Sequence, residues 1–392
     1  MDASAPAILE IGIVLVAAAT AGLVFRRLGL PAVIGYMLIG LLVSPFTPGY
    51  VADRHQLQLF ADIGVVLLLF EVGIEIDPRE LRRERGRLLW VVPFHTVAIA
   101  AVASVVAMAV GLAWRGSLIL GLAVALSSSV VVVNVTRSRR RITNPATAHT
   151  LLGWSVLQDV TGVVLAASVL AALGLKGRPI WLSMIGIVAF VLVALATAQV
   201  LPHVLRHLED QPDLFLLFSV ATGLSLAGVG DRIFGIPLAL AAFAGGLCIG
   251  EGRVTAAARD RLLPFRDVFA VLFFVAVGSL IDPSALPESL AWFAIVTTLV
   301  LVLKGGTIFA IARRLELPGV VPWHVGGGLG QIGEFSFVLA SIGATRGWIT
   351  PHVYTGILGA VVASIAVVTI AVRQHSWRST REGIADRTRP ST

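Results

Sequence analysis

The chain has 392 residues, of which 57% are hydrophobic and only 14% are charged. Soluble domains average about 45–50% apolar and about 25% charged residues, so this composition excludes a soluble globule, and a single cysteine, Cys248, excludes a disulfide scaffold. A net charge of +7 indicates nucleic-acid binding in a soluble protein. Here the basic residues lie between apolar runs, so we expect a multi-pass membrane protein without a nucleic-acid partner.

Apolar runs bounded by charged residues, prolines and glycines predict an all-α fold with about thirteen transmembrane helices, because one span needs about 20 apolar residues. Small polar residues interrupt span 5, and glycines interrupt span 12. In chain order, spans 1 to 13 cover residues 7–25, 31–46, 58–76, 88–112, 116–136, 147–173, 179–200, 213–230, 234–250, 263–281, 289–311, 319–344 and 352–373.

Basic residues alternate between rich and poor loops along the chain. The loops after odd-numbered spans, together with the tail, hold 23 of the 30 lysines and arginines, whereas the alternate loops hold 6. Cytoplasmic loops carry the excess of Lys and Arg. The alternation therefore predicts a protein of the cell inner (plasma) membrane with its N-terminus outside and its C-terminus in the cytoplasm, where residues 374–392 form a polar tail.

Two parts of the chain repeat at a nearly constant offset. Leu57–Pro78 and Leu262–Pro283 lie 205 positions apart and are identical at 10 of 22 positions. Gly29, Pro31 and Gly40 recur 206 positions later. Span 1 thus corresponds to span 8, and because seven spans separate them, the second copy enters the membrane from the opposite face.

The repeat predicts a six-plus-six inverted organisation. The first repeat is residues 1–178, a connector helix covers residues 179–210, and the second repeat is residues 211–373. Inverted repeats are common in secondary transporters, whose binding sites lie near the membrane midplane at discontinuous helices. A duplication kept only as scaffold, as in some channels, is the alternative.

Two ionisable residues stand out inside predicted spans. Asp159 lies in the middle of span 6 beside Gln158, and Lys304 lies within span 11. Charged groups in hydrocarbon are costly and are usually functional or paired. Burial disfavours the charged form of a carboxyl, so Asp159 could hold either a proton or a bare monovalent cation. The alternative is a permanent structural pair between Asp159 and Lys304.

Small residues predict a break in one helix of each repeat. Ser127, Ser128 and Ser129 interrupt span 5, and at offset 205 they correspond to positions 332–334 of span 12, which follow a glycine-rich run. Broken helices expose carbonyls and helix ends to ions, so Gln331 and Glu334 are expected near the site. Close packing of helices by small residues is the alternative.

Other chemistries find little support in the sequence. No Walker A run and no paired His/Cys metal spacing is present, so we expect neither an enzyme nor a cofactor. Glu71 and Glu75 lie one turn apart near the end of span 3, with Arg79 and Arg82 within helical reach. This spacing favours salt bridges at a helix end.

Five motifs resemble those of the second monovalent cation:proton antiporter family, and the Gln-Asp pair is most similar to the Kef-type potassium-efflux branch. In chain order the motifs are Leu69-Phe-Glu-Val-Gly-Ile-Glu-Ile-Asp-Pro78, Ala125-Leu-Ser-Ser-Ser129, Leu157-Gln-Asp159, Lys304 and Gly330-Gln-Ile-Gly-Glu-Phe335. The resemblance implies a dimerisation domain and a moving core domain, whose two broken helices cross near the ion-binding aspartate. By this similarity the aspartate is Asp159 and its basic partner is Lys304.

The sequence therefore predicts a secondary transporter that exchanges a monovalent cation, bound at Asp159, for protons by alternating access. Potassium is favoured over sodium, because Gln158 adds a neutral oxygen where sodium-type relatives often carry a second acid. A sodium/proton antiporter and a channel or sensor without coupled transport are the alternatives. Expected partners are the cation, protons, membrane lipid, a second copy of the chain in a homodimer and, in some settings, a separate regulatory subunit.

Overall fold

The computed structural model describes residues 5–28, 31–44, 54–75, 86–128, 132, 144–173, 180–249, 253–333 and 335–368, and within these ranges every regular element is a helix. The helices of the first part are α1 (Ala5–Arg27), α2 (Ala32–Leu42), α3 (Arg54–Glu75), α4 (Leu88–Ala109), α5 (Trp114–Ala125), α6 (Pro145–Ala172) and α7 (Ile180–His207). The remaining helices are α8 (Pro212–Val229), α9 (Leu238–Leu247), α10 (Arg253–Ser279), α11 (Leu286–Thr298), α12 (Gly305–Leu315), α13 (Pro322–Leu329), α14 (Phe335–Thr345) and α15 (Pro351–Val368).

The predicted all-helical membrane fold is confirmed. Eight helical segments of the described residues are long and apolar enough to cross a membrane, and four shorter apolar helices accompany them, namely α2, α5, α9 and α14. Each predicted span coincides with at least one helix. The number of thirteen crossings stays a prediction, as does the orientation of the termini.

Both predicted helix breaks are present. Helix α5 ends at Ala125, and Leu126 is extended, with φ −92° and ψ 141°. Helix α13 ends at Leu329, and helix α14 begins at Phe335. Serines favour local hydrogen bonds that compete with the helix, and each glycine costs a helix interior about 1 kcal/mol relative to alanine, so both sequences stop the helix at these points.

A π-helical segment, Leu299–Lys304, joins α11 to α12, so that residues 283–315 form one long apolar helical stretch. π-turns are rare and occur frequently at functional sites. Lys304 is the last residue of this segment, and its side chain is fully buried. Lys304, which stood out in the sequence as a charged residue within a span, thus also lies at an unusual point of the backbone, the end of a π-helical segment.

The chain divides into two compact units. Unit 1 comprises residues 1–82 and 163–283, and unit 2 comprises residues 83–162 and 284–392. Each unit takes helices from both predicted repeats, so the compact units are a different division of the chain from the repeats. The repeat boundaries stay a prediction.

Within unit 1, glycines of each repeat press against the backbone of the other repeat. A Cβ atom in place of Gly64 would collide with the Phe269 carbonyl oxygen, and four further glycines show the same kind of collision. The pairs are Gly40 with Val275, Gly246 with Phe70, Gly73 with Phe243, and Gly278 with Met37. Shifting the residues by 205 or 206 positions converts the first pair into the second and the third pair into the fourth. This is the pattern expected if a two-fold axis relates the repeats.

Unit 1 also contains a buried ion pair between α3 and α10. The Glu71 side chain, 3% exposed, accepts a hydrogen bond from Arg266 Nη1 at 2.7 Å, and Arg259 Nε lies 3.8 Å from its other oxygen. Arg79 and Arg82, the partners that the sequence predicted, lie outside the described residues. The described partners come instead from a distant helix, which local helical spacing could not indicate.

Candidate cation and proton site

The site lies in unit 2, where the breaks after α5 and α13 meet. The Gln331 side chain is fully buried and bonds both backbone groups of Ser128. Its Oε1 accepts from the Ser128 N–H at 3.1 Å, and its Nε2 donates to the Ser128 carbonyl at 3.1 Å. The amide thus replaces hydrogen bonds that helix α5 cannot supply where it has ended.

Further hydrogen bonds join the two breaks. Ser127 Oγ donates to the Leu329 carbonyl at 2.8 Å, and the Gly333 N–H donates to the Leu126 carbonyl at 3.0 Å. A Cβ at Gly333 would collide with the Ser127 carbonyl, so only glycine allows this approach. The glycine-rich run predicted from the sequence is therefore required here by close backbone contact.

Two serine hydroxyl groups form hydrogen bonds that hold the segment between α13 and α14 in place. Ser336 Oγ donates to the Ala123 carbonyl at 2.7 Å, and the Ile332 N–H donates to Ser364 Oγ at 3.2 Å. Both serines are fully buried. Since buried backbone groups must be hydrogen-bonded, these side chains make the irregular backbone tolerable in an apolar interior.

Lys304 lies where the two breaks meet. Its Nζ donates to the carbonyl of Leu126 at 2.8 Å and to the carbonyl of Gln331 at 2.8 Å. Helices α5 and α13 end just before these carbonyls, and a helix C-terminus carries a partial negative charge. Among the described residues no carboxylate oxygen forms an ion pair with Lys304, although Asp159 attracts it electrostatically.

Helix α6 brings the candidate ligands to the same place. Gln158 Nε2 donates a hydrogen bond to the carbonyl of Ala125, the last residue of α5. Its Oε1 is buried and has no hydrogen-bond partner among the described residues. Asp159, the next residue, is 4% exposed. A carboxylate beside a neutral amide oxygen suits a monovalent cation, because oxygens can replace part of its hydration shell.

Six of the eight predicted site residues come together in unit 2. Ser127, Ser128, Gln158, Asp159, Lys304 and Gln331 are all buried. Ser129 and Glu334 lie outside the described residues. Within the described ranges no cluster of three or more His, Cys, Asp or Glu side chains is arranged to hold a metal ion, and Asp159 is the one carboxylic acid among these six residues.

Sequence reasoning missed the residues that surround this set. His95 is buried on α4, and its Nε2 lies 2.9 Å from Thr307 Oγ1. Trp154 of α6 contacts the same ring edge to face, with ring centroids 5.8 Å apart. A histidine in the middle of the apolar run of span 4 was the available signal, since an ionisable group inside a span is usually functional.

Comparison with known proteins identifies the family. Residues 13–375 match the family model described as "Sodium/hydrogen exchanger, transmembrane". The chain is 29% identical over 348 residues to the putative cation/proton antiporter YbaL of Escherichia coli K12, covering 84% of this chain and 61% of YbaL. It is 28% identical over 363 residues to the glutathione-regulated potassium-efflux system protein KefC of Enterobacter sp. strain 638, covering 88% of this chain and 56% of KefC. The chain thus spans little more than half the length of these relatives.

Solved structures share the fold. The sodium proton antiporter MjNhaP1 of Methanocaldococcus jannaschii superposes with a TM-score of 0.69 at 19% identity, covering 95% of this chain and 98% of that one. An electron-microscopy structure of the same antiporter gives a TM-score of 0.64 at 17% identity, covering 94% and 95%.

Proposed function

Because the chain belongs to the sodium/hydrogen exchanger family, we propose that it exchanges a monovalent cation for protons across the membrane by alternating access. The observation that carries the proposal is the burial of Asp159 beside Gln158, together with the buried Lys304 at the meeting point of two broken helical segments. YbaL and KefC, which are named for cation/proton antiport and potassium efflux, support the same class of transport.

In this mechanism the Asp159 carboxylate binds a proton or a cation, one at a time. A cation entering from one side displaces the proton, and a proton arriving from the other side displaces the cation. The Gln158 Oε1 completes the cation site with a neutral oxygen, and the carbonyls near the two breaks supply further oxygens. Competition for a single carboxylate couples the two fluxes without any further machinery.

Potassium is the cation that we favour. Gln158 supplies a neutral ligand rather than a second charge, and a weaker field suits the less strongly hydrated ion. KefC supports this choice by its name. The second candidate is sodium, which is favoured by the structural similarity to the sodium proton antiporter MjNhaP1.

By the family resemblance, unit 2, which holds the site, is the moving core domain and unit 1 is the dimerisation domain. A homodimer in the plasma membrane, with a regulatory subunit as an additional partner, belongs to the same proposal. Chemical crosslinking of the purified protein in lipid tests the dimer independently of transport.

The deciding experiment is transport in proteoliposomes with an imposed pH gradient. We expect proton efflux to be driven by external potassium and rubidium more strongly than by sodium, and to be abolished in Asp159→Asn, which keeps the size but cannot be ionised. Asp213→Asn is the matched control, because Asp213 is exposed in the first turn of α8. Exchange that persists in Asp159→Asn contradicts the site, preference for sodium favours the second candidate, and cation flux without proton movement indicates a channel.

A further inference from the structure

The buried imidazole of His95 is an ionisable group that the exchange mechanism does not use. The residue is 4% exposed and lies on α4. Its ring contacts Thr307, which follows Lys304 by three residues, and Trp154, which precedes Asp159 by five. His95 therefore touches both helical stretches that carry the charged residues of the site.

Hydrogen bonding fixes the tautomer of the ring. Thr307 Oγ1 lies 2.6 Å from the Leu303 carbonyl and 3.0 Å from the Lys304 carbonyl, and carbonyls only accept. The single hydroxyl proton of Thr307 is therefore donated to the backbone. At 2.9 Å from His95 Nε2, the hydroxyl oxygen must accept, so Nε2 carries the proton of the neutral ring.

The other ring nitrogen, Nδ1, is then an unprotonated base. Nδ1 of the neutral ring holds a lone pair, and among the described residues it has no hydrogen-bond partner although it is buried. An orphaned buried acceptor costs about 1–3 kcal/mol, and such exceptions require an explanation. A proton on Nδ1 would turn the ring into an imidazolium while the bond to Thr307 stays in place.

The charges around the ring are few. Lys304 is the charged group that acts on it electrostatically among the described residues. Helix α5 packs along α4, and its one charged residue, Arg115, is exposed in the first turn. On α6, which provides Trp154, the titratable residues are His149, which is exposed, and Asp159. A second positive charge on His95 would therefore add to that of Lys304 in a low-dielectric interior.

We propose that His95 is a proton-binding member of the transport site that opposes cation binding in acid. Nδ1 takes a proton from a hydronium ion and leaves water, and the reverse step restores the neutral tautomer. The imidazolium and the Lys304 ammonium together repel a cation that approaches Asp159. By reciprocal linkage, a bound cation lowers the affinity of Nδ1 for its proton by the same factor. This inference rests on the proposed function for its consequence in transport, but not for the proton site itself.

The transport test counts protons. Exchange of radiolabelled rubidium, measured in proteoliposomes at subsaturating rubidium and equal pH on both faces, falls about tenfold per pH unit if one proton competes, and up to about a hundredfold if two compete. We expect wild type to exceed tenfold per unit on its acid limb and His95→Gln to fall to tenfold or less. His149→Gln is the matched control and should keep the steep limb. Equal steepness in wild type and His95→Gln overturns the proposal.

A second test needs no transport. Histidine ¹⁵N spectra of the protein in nanodiscs report the protonation of each ring nitrogen, and the His95 signal is the one absent from His95→Gln. We expect Nδ1 to be unprotonated at neutral pH, and to gain its proton at higher pH in Lys304→Gln than in Lys304→Arg, which keeps the charge. Identical titrations in the two variants refute the coupling. If wild type does not transport, the proposed function fails, and these spectra still decide whether His95 binds a proton.

Discussion

The number of charges moved per cycle depends on whether Lys304 keeps its proton. Its ammonium donates to two carbonyls at 2.8 Å, and each bond gains about 1–1.5 kcal/mol over a neutral one. The adjoining C-termini of α5 and α13 each add about 0.3–2 kcal/mol. These terms sum to about 3–7 kcal/mol, which matches the several kcal/mol that burial of the charge costs. We therefore expect Lys304 to stay charged, so that at a pH where His95 is neutral Asp159 alone exchanges one proton for one cation.

The perturbation is a membrane potential imposed on proteoliposomes. Moving one net charge through 100 mV is worth about 2.3 kcal/mol, which corresponds to about a 50-fold change in the cation gradient at equilibrium. One-for-one exchange moves no net charge, and its equilibrium gradient should not respond. Gln158→Asp provides the positive control, because a second carboxylate beside Asp159 can hold a second proton and make the cycle electrogenic.

The assay is the final distribution of the transported cation at potentials of opposite sign, which are set by a gradient of the membrane-permeant anion thiocyanate because valinomycin would itself carry potassium and rubidium. A shift approaching 50-fold in wild type, lost in Lys304→Gln, would refute the reasoning and make Lys304 a proton carrier. A wild type that does not respond, with a response gained in Gln158→Asp, supports the one-for-one cycle.

Three further outcomes are expected. Gly333→Ala should reduce exchange strongly and lower the melting temperature, because its Cβ collides with the Ser127 carbonyl and such overpacking costs about 1–3 kcal/mol. Glu71→Gln should lower the melting temperature in lipid-detergent micelles, at a cost smaller than the about 3–5 kcal/mol of a fully uncompensated buried charge, because Arg266 loses its buried partner but keeps Asp267 at 2.7 Å. A reporter enzyme fused after residue 392 should be active only in the cytoplasm, as the distribution of arginine predicts.

Matched variants separate these effects from general damage. Gly327→Ala is the control for Gly333→Ala, since no atom lies within 4 Å of its Cβ position, and it should not lower the melting temperature, because alanine is the better helix former inside α13. Glu288→Gln serves for Glu71→Gln because its side chain is 77% exposed. Equal losses in control and test variants contradict the packing and ion-pair arguments, and a reporter active only outside the cell overturns the helix count.

Much of the fold could be predicted because a membrane helix can be recognised from its long run of apolar residues. Every predicted span contains a helix, and the breaks at Ser127 and after Leu329 follow from residues that disfavour helices. The π-segment ending at Lys304 could not be predicted, because five of its six residues are leucines and valines of the kind that an ordinary membrane helix also contains. The partner of Glu71 was missed for a related reason, since the sequence indicates neighbours one turn away but not those on another helix.

The site was predictable in its ionisable residues and not in its hydrogen bonds. Asp159 and Lys304 stand out because charge is costly in hydrocarbon. A direct ion pair between Asp159 and Lys304 was the natural expectation from the sequence. In the structure Lys304 donates hydrogen bonds to two carbonyls and interacts with Asp159 only electrostatically. The pattern of side chains in a sequence does not show in which direction the backbone carbonyls point at a helix break. His95 carried the same signal as Asp159, namely an ionisable group inside a span.

Asp159 has no charged counterpart in the other predicted repeat, and this asymmetry suits the exchange that we propose. Leu126 and Gln331, whose carbonyls hold Lys304, correspond at offset 205, so the scaffold offers the ammonium matched acceptors from both repeats. At offsets of 205 and 206, Asp159 corresponds to Ser364 and Ile365, neither of which is charged. In the proposed mechanism, a symmetric framework would support two equivalent conformations, one open to each side, and the single carboxylate of Asp159 would make proton and cation compete for one place. If the offset reflects an inverted duplication, the duplication accounts for the matched acceptors around Lys304, and the unmatched Asp159 accounts for the coupling that we propose.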